Sequence, residues 1–132
     1  MSATVLIAED DDDVRDLVAL RLAAAGYKTV TVTNGNAALT AASLEHPDLI
    51  VLDIDMPGLD GLTVCQQIRS LARTSSLPVL ILSARSRDLD ESHGRAMGAS
   101  DYLAKPFDAA ELVERVARLL SDTYEAAPLS RW

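Results

Sequence analysis

The chain of 132 residues contains a single cysteine, Cys65, and can therefore form no internal disulfide. A lone cysteine fits a reducing compartment, so we expect a cytoplasmic protein. No apolar run approaches the roughly 18 residues that a membrane-spanning helix needs, and no membrane segment is predicted. The first residues lack the basic region followed by an apolar stretch that is typical of a secretion signal. Cys65 itself is predicted to pack as a small residue on a helix.

Basic residues are in the minority, since 12 lysines and arginines face 20 aspartates and glutamates and give a formal net charge of −8. Nucleic acids are bound largely by neutralising their phosphates with Lys and Arg. We therefore expect no direct binding of DNA or RNA by this domain. The cysteine and the two histidines have no zinc-like spacing, and both histidines, His46 and His93, are interpreted as surface residues.

The hydrophobic pattern predicts one α/β domain, and 132 residues suffice for one core but not for two. Short apolar runs alternate with stretches of helical period five times along the chain. Such alternation predicts a parallel sheet of five strands with helices on both faces. The predicted strands lie at residues 5–8, 29–32, 49–52, 78–82 and 102–103, and the predicted helices at about 14–26, 36–44, 61–71, 86–97 and 112–120.

The end of the chain carries no periodic pattern. Residues 122–132 contain Pro128 and are predicted to be a tail or a linker stub. The folded domain is accordingly expected to cover residues 1–121.

Polar side chains stand where the predicted strands end. Glu9 and Asp10 follow the first strand, and Asp53 follows the third. Ser83 follows the fourth strand and Lys105 the fifth. Ligands of open parallel sheets bind outside the carboxyl ends of the strands, so these side chains are expected to meet in one crevice. Carboxylates gathered there repel one another unless a cation neutralises them, and an oxygen-only set with room for water and phosphate suits Mg²⁺ better than zinc.

Asp53 is a candidate nucleophile because carboxylates can form aspartyl-phosphate intermediates. Phosphoryl transfer requires positioning and neutralisation of the charge on the transferring oxygens. Mg²⁺ and Lys105 would supply that charge, and the Ser83 hydroxyl would donate a hydrogen bond to a phosphoryl oxygen. The acids of Asp11–Asp13 have a simpler interpretation, as an N-cap and favourable charges at the start of a helix.

These residues resemble the receiver domain of two-component response regulators, over residues 3 to 121. No single motif is decisive, but several occur in the expected order on the expected elements. The motifs are Glu9-Asp10, Asp53 with Met56-Pro57, Asp60-Gly61, Ser83-Ala84, the Gly98-Ala99 turn, and Tyr102 with Lys105-Pro106-Phe107. The resemblance implies a flavodoxin-like fold with strand order 2-1-3-4-5.

The resemblance also implies the chemistry of the site. Asp53 would be the phosphoacceptor, loaded by the phosphohistidine of a histidine kinase or phosphotransfer protein. The Lys105–Pro106 peptide bond would be cis and would aim the lysine into the site. Such a domain accepts phosphoryl groups stoichiometrically, so beyond self-phosphorylation and self-dephosphorylation no enzyme activity is expected. The implied ligands of Mg²⁺ are Glu9, Asp10, Asp53 and the backbone carbonyl of Asp55.

The same resemblance implies a switch that controls an output domain or a partner protein. Ser83 would move toward the phosphoryl group, and Tyr102 would turn inward. This would repack the face formed by the predicted helix at 86–97, the fifth strand and the last helix. Phosphorylation would favour one of two conformations by adding charge and acceptor oxygens.

Asp55 and Arg85 suggest a separate hypothesis, because they lie two residues after Asp53 and Ser83 respectively. If both side chains flank the phosphoryl group, they would pair, shield it from water and so modulate its lifetime.

Two other functions remain as alternatives. Asp53-Ile54-Asp55 also fits the start of a haloacid-dehalogenase-like phosphatase, but those enzymes carry the nucleophile on the first strand and need a longer core and a cap. A pseudo-receiver that works without phosphorylation typically loses the acidic pair, the phosphoacceptor or the lysine, all of which are present here.

The last helices resemble those of receivers attached to winged-helix DNA-binding domains, which dimerise through ion pairs. Of the three expected pairs, Asp101–Arg115 is retained. The second would oppose two like charges, Glu91 and Glu111, and the third falls on Ala96 and Ala117, which carry no charge. Dimerisation of that type is therefore possible but doubtful.

Overall fold

The computed structural model describes residues 2–84 and 98–129, with side chains as far as Ser121. Five strands and four helices follow one another along this described part of the chain. The strands are β1 (Thr4–Ala8), β2 (Lys28–Val32), β3 (Leu49–Asp53), β4 (Val79–Ser83) and β5 (Asp101–Ala104). The helices are α1 (Asp12–Ala24), α2 (Gly35–Leu44), α3 (Gly61–Ser70) and the C-terminal helix (Ala109–Leu129).

The five strands form one parallel sheet in the order β2-β1-β3-β4-β5, which confirms the predicted fold class. In its register, Asp53 pairs with Leu82 and Ser83 pairs with Ala104. Because the carboxyl ends of parallel strands share one edge of a sheet, the polar residues that follow the strands are delivered to the same edge.

Alternate residues of each central strand enter two separate apolar layers, as the two-residue period of a strand requires. Leu6 and Ile50 pack with α2 and α3 on one face of the sheet. Ile7 and Val51 pack with α1 and the C-terminal helix on the other. Every residue of β3 and β4 is buried, which explains why both strands are almost continuous apolar runs in the sequence.

The acidic stretch after β1 begins α1. The Asp11 carboxylate accepts a hydrogen bond from the Val14 N–H at 3.0 Å, and Asp12 and Asp13 lie in the first turn. This confirms the interpretation of Asp11–Asp13 as a cap and favourable charges at the positive end of the helix dipole.

The end of the chain differs from the prediction. The last helix was predicted to end near Leu120 but continues to Leu129. Residues 121–129 include good helix formers such as Ala and Glu but carry no apolar stripe, so helical period could not indicate them. The domain boundary at residue 121 stays a prediction, and the predicted helix at 86–97 lies outside the described residues. No described helix combines the length and apolar character that crossing a bilayer requires.

Gly61 allows α3 to start directly against the end of β3. A Cβ at this position would lie 2.4 Å from the Ile54 Cα and 2.8 Å from the Asp53 carbonyl oxygen, far closer than atoms pack. The neighbouring Asp60 caps the helix by accepting a hydrogen bond from the Thr63 N–H at 3.0 Å. The glycine therefore sets the path of the chain that leaves Asp53.

We expect Gly61→Ala to lower the free energy of unfolding by about 1 to 3 kcal/mol, because the backbone of β3 or α3 must shift to admit the methyl group. At an exposed helical position alanine would instead stabilise by up to about 1 kcal/mol. Urea unfolding measures the effect, with Gln66→Ala on the exposed face of α3 as the control. Equal stability of wild type and Gly61→Ala would contradict the close approach.

Candidate functional site

Backbone hydrogen bonds fix where the candidate side chains leave the sheet. Glu9 and Asp10 follow β1, and the Glu9 N–H donates to the last residue of β2 at 3.1 Å. Asp53 is the last residue of β3. Lys105 follows β5, and its N–H donates to the Ser83 carbonyl at 2.8 Å. The sheet thus places these residues at one edge, as the sequence predicted.

Three carboxylates meet at this edge. Glu9, Asp10 and Asp53 each offer one oxygen, and these oxygens lie within 4.8 Å of one another. Glu9 is fully buried and Asp53 is 2% exposed, whereas Asp10 is open to solvent. The Asp55 N–H donates to Asp53 Oδ1 at 2.9 Å, and the Asp11 N–H donates to Glu9 Oε2 at 3.3 Å.

One ammonium group contacts these carboxylates in the described part of the chain. The Lys105 ammonium lies 2.7 Å from Glu9 Oε1 and 3.5 Å from Asp53 Oδ2, and the Lys105–Pro106 peptide bond is cis. At this distance the Lys105 ammonium and the Glu9 carboxylate form a charge-assisted contact in a buried position. Burial lowers the pKa of Lys105, but its contacts with Glu9 and Asp53 outweigh burial, and the pKa is raised.

The charges at the site are unbalanced. Burial raises the pKa of Asp53, and the Glu9 carboxylate raises it further. The Asp55 N–H and Lys105 lower the pKa of Asp53 only in part, which leaves it at about 7. Three carboxylates with one ammonium favour uptake of a proton or a cation. The oxygen-only donor set fits a hard divalent ion such as Mg²⁺ rather than zinc.

The two predicted switch residues lie on β4 and β5. Ser83 is fully buried, one residue beyond the strand partner of Asp53. Tyr102 points inward and is 7% exposed, and its buried hydroxyl makes no hydrogen bond to any described residue. The roles of both residues as moving parts stay predictions.

Asp55 extends along the edge toward β4. Its carboxylate Oδ2 accepts a hydrogen bond from the Ala84 N–H at 3.3 Å. Arg85 lies outside the described residues, so its pairing with Asp55 stays a prediction.

Arg15 of α1 belongs to the site but was not predicted. Its Nη1 donates to the Glu9 carbonyl at 3.2 Å, and its Nη2 lies 2.6 Å from Asp12 Oδ1. The guanidinium therefore holds the peptide that joins Glu9 to Asp10 and brings a second positive charge near the carboxylates. The helical spacing of Asp12 and Arg15 was visible in the sequence. A contact with a backbone carbonyl six residues earlier was not.

The remaining residues considered in the sequence lie away from this edge or outside the described part. Cys65 is fully buried on α3, which confirms its packing role, and burial raises the pKa of its thiol. His46 is exposed in the loop before β3, as expected. His93 is not among the described residues.

A family model described as the response regulator receiver domain matches residues 5–117. The chain belongs to this family. Among relatives of this receiver, the DNA-binding dual master transcriptional regulator RpaA of Synechocystis is 43% identical over 119 residues, covering 90% of this chain and 49% of the relative. The alkaline phosphatase synthesis transcriptional regulatory protein PhoP of Bacillus subtilis is 38% identical over 130 residues, covering 98% of this chain and 53% of the relative.

A solved structure agrees with these relatives. The receiver domain of the Francisella response regulator 1452 matches with a TM-score of 0.86 at 33% identity, covering 92% of this chain and 99% of that one. The prediction of a phosphoryl-accepting signalling switch of the receiver type is thereby confirmed. The receiver spans only about half the length of the curated relatives it matches.

We expect ionised Asp53 to destabilise the receiver when no metal is bound. Its pKa is raised from an ordinary 3.8 to about 7. The penalty is therefore absent below about pH 4, grows between about pH 4 and pH 7, and is complete above that range. Asp53→Asn removes the charge, so at about pH 8 in a metal chelator its free energy of unfolding should exceed that of wild type by about 1 to 3 kcal/mol.

Urea unfolding at several pH values measures this difference, and Asp16→Asn at an exposed position of α1 controls for net charge. A difference that stays constant across the pH range, or that is absent near pH 8, would refute the raised pKa.

Proposed function

We propose that Asp53 of this receiver accepts a phosphoryl group from the phosphohistidine of a histidine kinase or phosphotransfer protein, in a Mg²⁺-dependent reaction. One observation carries the proposal. The carboxylates of Glu9, Asp10 and Asp53 lie together, with the Lys105 ammonium 2.7 Å from Glu9 and 3.5 Å from Asp53.

In the proposed transfer, the P–N bond of the donor breaks as a P–O bond forms to an Asp53 oxygen, and the electron pair returns to the imidazole nitrogen. The Asp55 N–H holds Oδ1 and orients the carboxylate. Lys105, beside Oδ2, offsets negative charge on the transferring oxygens. The Ser83 hydroxyl donates to a phosphoryl oxygen. Asp53 must be ionised to attack, and a bound cation together with Lys105 would favour that form by offsetting the burial and the Glu9 charge that raise its pKa.

Mg²⁺ would be held by Glu9, Asp10, Asp53 and the backbone carbonyl of Asp55. In that position the ion would supply positive charge for the phosphoryl oxygens, a contribution worth several kcal/mol in metal-assisted transfer. Arg15 contributes indirectly, because its hydrogen bond to the Glu9 carbonyl orients the loop that carries two of these ligands.

We further propose that the receiver is not an enzyme that turns over a substrate but takes up one phosphoryl group at a time. The relatives are named as transcriptional regulators and are about twice as long, which supports an output domain or an effector as the second partner. Such regulators act where the DNA lies, so the proposed location is the cytoplasm. The receiver, over residues 1–121, would not itself contact nucleic acid, and residues 122–132 would form the tail or linker.

The signal would pass through Ser83 and Tyr102 to the face that contains β5 and the C-terminal helix. On this face Arg115 lies 3.0 Å from Asp101 and 3.0 Å from Glu111 of its own chain, and it donates to the Tyr102 carbonyl at 2.9 Å. Dimerisation through ion pairs on this face is proposed as possible but doubtful, because two of the three expected pairs are missing from the sequence and the Arg115 of the third is already engaged within the chain. Glu91 and Ala96 lie outside the described residues.

Phosphorylation by a small phosphodonor such as acetyl phosphate tests the acceptor. We expect the intact mass of the wild type to rise by one phosphoryl group with Mg²⁺, and neither Asp53→Asn nor chelated wild type to change. Asp16→Asn is the matched control for loss of an acid. Labelling that persists in Asp53→Asn would exclude Asp53 as the acceptor.

The two alternative functions predict other outcomes. Steady hydrolysis of p-nitrophenyl phosphate would favour the phosphatase alternative, and an unlabelled wild type would favour the pseudo-receiver.

The lifetime of the phosphoryl group tests the proposed shield of Asp55 and Arg85. If the two side chains pair over the phosphoryl group, Asp55→Ala and Arg85→Ala should each release phosphate faster, because water then reaches the phosphorus. Phosphate release from the loaded protein is the measurement. Unchanged lifetimes in both variants would remove the hypothesis.

A further inference from the structure

The Asp55 side chain accepts a hydrogen bond from a backbone N–H at the edge of the site. Its Oδ2 accepts from the Ala84 N–H at 3.3 Å, while its own N–H donates to Asp53 Oδ1 at 2.9 Å. Ala84 is exposed and directly follows Ser83, the last residue of β4. Asp55 therefore links the acceptor carboxylate to the first N–H beyond β4.

The sheet brings this N–H to the same edge as Asp53. Asp53 pairs with Leu82 across the β3–β4 ladder, and the Ile54 N–H continues the pairing by donating to the Leu82 carbonyl at 3.1 Å. Ser83 and Ala84 thus run past the end of β3 beside Asp53. A phosphoryl group there carries up to two negative charges and three acceptor oxygens, and preorganised N–H groups are effective donors to such oxygens.

We propose that the Asp55 carboxylate is a built-in competitor of the phosphoryl group for the Ala84 N–H. It holds this donor in the unphosphorylated receiver and has to release it when Asp53 is loaded, because two anions repel each other at one donor. The inference rests on the proposed function of Asp53. It adds that one exposed side chain sets how readily the site is loaded.

The role of Asp55 as a competitor and its role as a shield affect different measurable properties of the site. A shield changes how long the phosphoryl group survives after loading. A competitor changes how tightly the site takes up a phosphoryl mimic in the first place, and in the opposite direction, because removing it favours the loaded form.

The contact itself is tested without any ligand. In ¹H–¹⁵N NMR spectra, the Ala84 amide proton of Asp55→Ala should move upfield and exchange faster than in the wild type, because its carboxylate acceptor is gone. Asp55→Asn should show a smaller change, and Asp13→Asn, which removes an exposed acid of α1, should show none. An Ala84 amide that is unchanged in both Asp55 variants would overturn the proposal.

The competition is tested with beryllium fluoride, a phosphoryl mimic, at saturating Mg²⁺. We expect its dissociation constant to fall about threefold to tenfold in Asp55→Ala, the range of one hydrogen bond to a charged group, and to fall less in Asp55→Asn. Asp55 is exposed, so its replacement leaves the core intact. An unchanged or weaker affinity in Asp55→Ala would overturn the proposal, as would an equal gain in Asp13→Asn, which would trace the effect to net charge.

Asp53→Asn separates this inference from the function on which it rests. If the wild type binds the mimic only through Asp53 while Asp55→Ala binds it no more tightly, the competitor is refuted and the receiver function stands. If Asp53→Asn and the wild type respond alike to the mimic, both are refuted.

Discussion

The site depends on an imbalance of charge, because fewer positive groups than carboxylates lie at this edge of the sheet. One ammonium, that of Lys105, lies beside two buried carboxylates, Glu9 and Asp53, with Asp10 close by. In a hydrophobic core such a group would be paired or neutralised. Here burial, together with the neighbouring Glu9 carboxylate, raises the pKa of Asp53 to about 7. A site in this condition stabilises whatever positive charge arrives, and it favours a protonated Asp53 until a cation binds.

The rest of the fold keeps these repelling groups in place. The parallel sheet delivers them to one edge, and its two apolar layers anchor β1 and β3 from both faces. Gly61 lets α3 start against the residue that follows Asp53, and Arg15 ties the peptide after Glu9 to α1. Hydrophobic burial elsewhere in the domain thus outweighs a local electrostatic cost, a common arrangement at functional sites.

The strands, the helices and the composition of the site could be predicted because they follow from short-range patterns, whereas the order of the strands was implied by the family resemblance. Unbroken apolar runs indicated β3 and β4, and Asp53 and Lys105 were recognisable as polar residues at the ends of strands. What could not be predicted involves backbone partners brought together only by folding. Neither the bond from Arg15 to the Glu9 carbonyl nor the bond from Ala84 to Asp55 has a sequence period. The last turns of the C-terminal helix were missed for a related reason, because a helical segment without an apolar stripe resembles a linker.

Arg115 has a consequence for how the receiver presents itself to other proteins. Its guanidinium bonds at once to the Tyr102 carbonyl and to two acids that are partly open to solvent. Asp101 and Tyr102 lie on the same strand, so a displacement of the β5 backbone that carries the guanidinium along would separate it from Glu111 and leave Glu111 less neutralised. A docking protein would then sense a change in electrostatic potential, even where the surface contour is nearly the same.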